Sequence, residues 1–126
     1  MSDVIRNYRD LKVWQMALVF TNEIYTITKK FPDEEKYGII SQLRRASVSV
    51  PSNIAEGCAK SSTKEFLRFI DIALGSVAEI DTQLEISYMQ GYFNKDALIK
   101  LQSELKAIDS MLGGLKKSLR KKLEND

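Results

Sequence analysis

The sequence predicts an all-α protein, an antiparallel up-down-up-down four-helix bundle. Three observations lead there. Apolar residues recur at spacings of three and four along almost the whole chain. No stretch of useful length alternates apolar and polar residues as a half-buried strand does. The breaks between periodic stretches are short, and short links join long helices as antiparallel neighbours.

The first stretch covers about residues 11–30. Leu11, Trp14, Leu18, Thr21, Tyr25 and Thr28 form one stripe, and Val13, Ala17, Phe20, Ile24, Ile27 and Phe31 form a second. Two adjoining stripes make an apolar face wide enough to touch more than one neighbour. Asp10 is the expected N-cap and Pro32 the exit.

The second stretch covers about residues 34–59 and opens on Asp33, Glu34 and Glu35, acids that suit the positive end of a helix. Tyr37, Ile40, Leu43 and Ser47 share one face; Ile39, Leu43, Ala46 and Val50 fill the next. Pro51 falls inside this pattern. It has no N–H and biases Val50 towards extended backbone, so the helix is expected to kink or restart near Pro51. Asn53 and Glu56 have capping-box spacing for a restart, and Gly57 fits a close approach or a helix end.

The third stretch, about residues 63–90, follows a Ser62–Glu65 capping box. Phe66, Ile70, Ala73, Val77, Ile80 and Leu84 form its seam, with Phe69, Ile72 and Ile86 broadening it and Gly91 ending it. The fourth, about residues 95–122, starts after Asn94. It repeats Leu98, Leu101, Leu105, Ile108, Leu112, Leu115 and Leu119 as heptads. Gly113 and Gly114 are small enough for a close approach there. The four helices are expected to form one domain over residues 1–126.

Composition narrows the chemistry. Histidine is absent and Cys58 is the single cysteine, so one chain holds neither a Ser-His-Asp nor a Cys-His arrangement, nor a disulfide. A di-iron bundle needs Glu-x-x-His pairs, so Glu56, Asp71, Glu79, Asp81 and Glu85 read as a solvated face; no metal or cofactor is expected. Asp81 and Glu85 stand four apart with like charge, which also fits a pairing with basic groups on another element. Ser61 and Lys64 have Ser-x-x-Lys spacing but none of its companion motifs, and helix capping explains the segment better. No apolar run reaches the roughly 18 residues of a membrane span, and no secretory leader is visible. A cytoplasmic location and no membrane partner are expected.

What remains is surface. The first and third helices carry more apolar residues than a bundle core needs, Leu67, Leu74, Tyr88 and Met89 among them. Either the core is generous and some hydrophobes are scattered outside, or the surplus is a subunit interface of a homo-oligomer. Periodicity leaves the number of subunits open. Net charge is only +2, so a polyanion must be met by local patches. One candidate joins Arg44, Arg45, Lys60, Lys64 and Arg68. The other joins Lys116, Lys117, Arg120, Lys121 and Lys122, diluted by Glu124 and Asp126. Arginine forks suit phosphates; ordinary ion pairs and a solvated helix end account for the same residues. Asn53 and Glu56 read as structural, and Cys58 as a small packed thiol.

Several segments together carry a family resemblance: Asp10-Leu-Lys-Val-Trp-Gln15, Phe31-Pro32, Tyr37-Gly38, Ser41-Gln-Leu-Arg-Arg-Ala46, Val48-Ser-Val-Pro-Ser-Asn-Ile-Ala-Glu-Gly57, Glu65-Phe66, Gly75-Ser76, Glu79, Thr82-Gln83-Leu84 and Gly91-Tyr92. Over about residues 8–123 the chain resembles the bacterial four-helix bundle proteins also called 23S rRNA intervening sequence proteins. The resemblance implies a homopentamer of four-helix bundles with no established enzymatic activity. It also implies kinship with accessory proteins of diversity-generating retroelements, which associate with a reverse transcriptase and bind nucleic acid through a basic surface. Arg44 and Arg45 fall on the family's arginine pair, and Trp14, Pro51, Asn53, Glu56 and Gly57 on its signature. Two functional readings follow. One is a non-enzymatic oligomer that binds RNA or DNA. The other is a structural or protein-interaction module with no nucleic-acid affinity.

Overall fold

The computed structural model describes residues 7–125 and is an all-α four-helix bundle. The helices are α1 (Lys12–Thr28), α2 (Ile39–Ala59), α3 (Thr63–Met89) and α4 (Lys95–Asn125). Short 3-10 turns at Tyr8–Asp10 and Asp33–Glu35 precede α1 and α2.

Pairs of residues in contact set the register. Thr21 and Thr28 of α1 meet Ser47 and Arg44 of α2. Ser49 and Gln42 of α2 meet Ser76 and Gln83 of α3. Gln102 and Lys116 of α4 meet Glu85 and Asp71 of α3. In every pair one number rises as the other falls, so successive helices run antiparallel. Lys100 of α4 reaches Glu23 of α1, which closes the square.

The core follows the predicted seams. Ile24, Leu43, Ile54, Ile70, Ile80, Leu84, Leu98, Ile108 and Leu112 are fully buried. The two stripes of α1 separate: Val13, Ala17, Phe20 and Ile24 enter the core, while Leu18 and Tyr25 remain exposed. Ile72 and Ile86 do not broaden the α3 seam; both are exposed.

Helix ends follow local chemistry. Ser62 Oγ accepts from the Glu65 N–H at 3.0 Å and starts α3. Asn94 Oδ1 accepts from the Ala97 N–H at 2.8 Å and starts α4. Gly91, at φ 78°, ends α3 in a Schellman motif: its N–H bonds the Tyr88 carbonyl, and the Tyr92 N–H bonds Ser87. Two expected caps are corrected. Asp10 lies in the 3-10 turn, and Leu11 is the N-cap of α1 with no side-chain bond. The acids 33–35 precede α2 rather than open it, although Glu35 still serves its first turn by accepting from the Ile39 N–H at 3.3 Å. The other oxygen of Glu35 accepts from the Tyr92 hydroxyl at 2.7 Å, which joins the two loops at that end of the bundle. Phe31 packs on Tyr92 and Phe93 beneath them.

The helix does not restart at Pro51; α2 runs unbroken from Ile39 to Ala59, and no kink is in evidence. A proline at that position leaves the Ser47 carbonyl, four residues back, without its helical donor. Thr21 of α1 supplies one, its hydroxyl lying 3.0 Å from Ser47 O and 2.8 Å from Ala17 O. Asn53 therefore caps nothing. It is mid-helix, and its amide donates to the Ser49 carbonyl at 2.7 Å and to Ser49 Oγ at 2.9 Å. Ser49 Oγ is in turn 2.9 Å from Ser76 Oγ on α3, so a polar ladder crosses the α2–α3 seam.

Gly57 marks a close approach. A Cβ there would lie 2.7 Å from Phe69 Cβ and 2.9 Å from Phe66 Cδ1. Gly113 and Gly114 do not: both are exposed, and a Cβ on either meets nothing within 4 Å.

Candidate nucleic-acid interface

The structure separates the arginine pair. Arg44 is half-buried and directed at the C-terminal turn of α1. Its Nε donates to Thr28 Oγ1 at 2.9 Å, and its guanidinium lies 4.6 Å from the Tyr25 ring centroid. A cation suits that helix end, where carbonyls lack partners. Thr28 is buried and donates onward to the Ile24 carbonyl at 2.6 Å, so it orients the acceptor that Arg44 uses. Arg45, 100° around the helix, is exposed.

Lys60, Lys64 and Arg68 gather at the α2–α3 turn. Lys60 Nζ and the Arg68 guanidinium lie 5.6 and 4.6 Å from the Phe69 ring centroid, holding two cations over one buried aromatic. Arg68 also pairs with Glu65 at 3.2 Å across exposed surface, an interaction of small energy. Lys64, one turn before Arg68 on α3, is exposed.

The second basic cluster arrives at the same end. Lys116 Nζ bonds Asp71 Oδ1 at 2.8 Å and fixes the α3–α4 register. One turn on along α4 and one turn back along α3 bring Arg120 level with Leu67 and Arg68. Lys117, Arg120 and Lys121 are exposed there. The N-terminus of α1 joins them, because α1 runs antiparallel to α2; Arg9 and Lys12 add their charge. Lys and Arg outnumber Asp and Glu at this end. At the opposite end Asp33, Glu34, Glu35 and Asp96 balance Lys29, Lys30, Lys36 and Lys95. Arg9 and Lys12 do not stand out in the sequence, because only the helix register reveals which termini share an end.

Acids occupy the flanks. Asp81 and Glu85 of α3 are bridged by an amide rather than by a cation: Gln102 Nε2 lies 3.1 and 2.9 Å from their oxygens. On the α1–α4 side, Lys100 bonds both Glu23 and Glu104. Burial, together with the nearby Glu23, raises the pKa of Glu104 despite Lys100. Hydrogen bonds to Glu23 and Glu104 raise that of Lys100. This group borders an open groove of about 480 Å³ floored by Met16, Val19, Phe20 and Ile108.

Of the signature residues, Pro51 and Gly57 are buried and Asn53 is half-buried. Pro51 and Gly57 pack between helices, and Asn53 belongs to the polar ladder. Trp14 is half-buried edge-on to Tyr8, with ring centroids 5.2 Å apart. Glu56 is exposed. Cys58 is half-buried against the core, and burial pushes its thiol pKa up. No group of three or more metal-ligating side chains occurs among the described residues, and no described helix is long and apolar enough to cross a membrane.

Comparison with known proteins gives a family and a fold. The sequence pattern of the family described as 23S rRNA-intervening sequence protein matches residues 9–114. A search of curated proteins finds no match. Among solved structures, the chain is similar to the crystal structure of a protein of unknown function from the S23 ribosomal protein family of Bacteroides thetaiotaomicron. The two share 24% identity over 83% of this chain and 95% of that chain, with a TM-score of 0.78. That likeness establishes the fold.

Proposed function

The chain belongs to the 23S rRNA-intervening sequence protein family, and from that premise we propose that it is a non-enzymatic, RNA-associated accessory protein. It grips nucleic acid with the basic end of its bundle. One observation carries this reading: Lys60, Lys64 and Arg68 share an end with Lys117, Arg120 and Lys121, although some fifty residues separate them in sequence. Cations on helix ends neutralise phosphates, and the release of counterions makes such binding fall steeply with salt. A chain of net charge +2 has no strong overall field, so affinity depends on this local excess.

The test is fluorescence anisotropy with a labelled RNA at about 50 mM salt and again at about 200 mM. Binding should weaken steeply with salt and fall when Lys60, Lys64 and Arg68 are replaced by Ala. No binding at the lower salt overturns the proposal and leaves a protein-interaction module.

Self-association is a second part of the reading, and a different observation favours it. Leu18 and Val48 flank the Thr21–Ser47 contact and are 43% and 40% exposed. An apolar patch on the α1–α2 face suits a copy-to-copy contact. We propose a cytoplasmic homo-oligomer, with five copies as the family resemblance implies. Light scattering should give a multiple of 14.4 kDa, and Leu18→Glu with Val48→Glu should return it to the monomer mass.

A further inference from the structure

We infer that the nucleic acid held by the basic end is a duplex, read through its phosphates and not through its bases. This rests on the proposed function and narrows its substrate. The aromatic faces at this end are already occupied by the protein's own cations. Phe69 is 6% exposed, with Lys60 and Arg68 over its ring. Trp14 packs on Tyr8, and the Arg9 guanidinium lies 5.3 Å from the Trp14 ring centroid. The most exposed aromatic residue, Tyr37 at 89%, lies at the opposite end of the bundle.

Single strands are held largely by stacking their bases on open aromatic faces. That mode has no platform among the described residues at this end. A cation resting on an aromatic ring keeps its charge, and the edge of a guanidinium stays able to bond phosphate oxygens. The basic end thus offers pre-positioned phosphate ligands. They stand on neighbouring helices whose axes are roughly 10 Å apart, on backbone that needs no ordering when it binds. A duplex matches this surface: it hides its bases and presents phosphates at high axial density.

The experiment compares the full chain binding three labelled probes of equal length: a blunt RNA duplex, a DNA duplex of the same sequence, and an unstructured oligouridine. At equal salt the RNA duplex should bind at least about tenfold tighter than oligouridine. The two duplexes should agree to within about threefold and share the same salt slope, as phosphate recognition requires. Lys60→Gln with Lys64→Gln, both at exposed positions, should weaken duplex binding while the helical circular dichroism is unchanged. Oligouridine binding as tightly as the duplex overturns this inference and leaves the proposed function standing. Failure of all three probes to bind overturns both.

Discussion

The Thr21 hydroxyl on α1 lies 3.0 Å from the carbonyl oxygen of Ser47 on α2, the carbonyl that Pro51 deprives of its helical donor. One hydrogen bond between helices thus takes the place of one within a helix. Removing it leaves a carbonyl unsatisfied in a largely buried seam.

Thr21→Val should lower stability by about 1 kcal/mol. With Pro51→Ala the Ser47 carbonyl regains an N–H donor, and the same substitution should cost markedly less. A double-mutant cycle by urea denaturation reads the difference. Equal costs in both backgrounds would show that Thr21 does not serve the proline.

The glycines should divide by what surrounds them. Gly57→Ala forces a methyl against Phe69 and Phe66 and should destabilise by about 1–3 kcal/mol. Gly113→Ala and Gly114→Ala add helix propensity in open space, and each should stabilise by up to about 1 kcal/mol. Thermal unfolding of the three variants checks both signs.

Arg44 should act on stability and not on binding. Arg44→Ala removes the bond to Thr28 and the cation over Tyr25, and should cost about 1–2 kcal/mol. Lysine lacks the planar fork and should not restore it. RNA affinity of the folded variant should match the parent. A large loss of affinity with stability intact would place Arg44 in the interface.

The α1–α4 seam should respond to pH. The folded-state pKa of Glu104 is raised, so its protonated form is favoured in the fold; that contribution is present at low pH and is lost as pH rises through the raised value. Lys100 has a raised pKa as well, so its contribution is present throughout neutral pH and is lost only in strong alkali. Lys100→Met removes the cation shared by Glu23 and Glu104 and should lower the melting temperature at pH 8. The deficit should shrink as pH falls and Glu104 takes up a proton. A deficit independent of pH would mean that the two carboxylates do not oppose each other.

Apolar periodicity made the fold legible, because each seam of the bundle is a run of side chains on one face of one helix. Gly91, Asn94 and Ser62 were legible as caps for the same local reason. The continuity of α2 was not. Pro51 carries its penalty within its own helix, while the compensating hydroxyl of Thr21 comes from another. A proline in a strong apolar rhythm does point four residues back to an orphaned carbonyl, and that is the signal which could have led to Thr21. The pair Asp81 and Glu85 likewise hid its partner, since a neutral Gln102 leaves no charge pattern to follow. The basic end was half legible. The Lys116–Lys122 cluster stood out as a charge run, but its union with Lys60, Lys64 and Arg68 depends on the α3–α4 register that Lys116 and Asp71 fix, and Arg44 lies at the other end against Thr28. The different surroundings of Arg44 and Arg45 follow from the 100° between adjacent helical residues, with Arg45 exposed and Arg44 held on Thr28.

The proposed affinity for nucleic acid rests on charge placement, not on net charge. Two charge-matched variants test it most directly: Lys64→Glu with Lys121→Glu at the basic end, and Lys29→Glu with Lys36→Glu at the opposite end. Both lower the net charge equally and alter only exposed positions. Measured by anisotropy against one RNA duplex at fixed salt, the first should weaken binding by at least about tenfold and the second by no more than about threefold. Equal losses from the two would contradict the account.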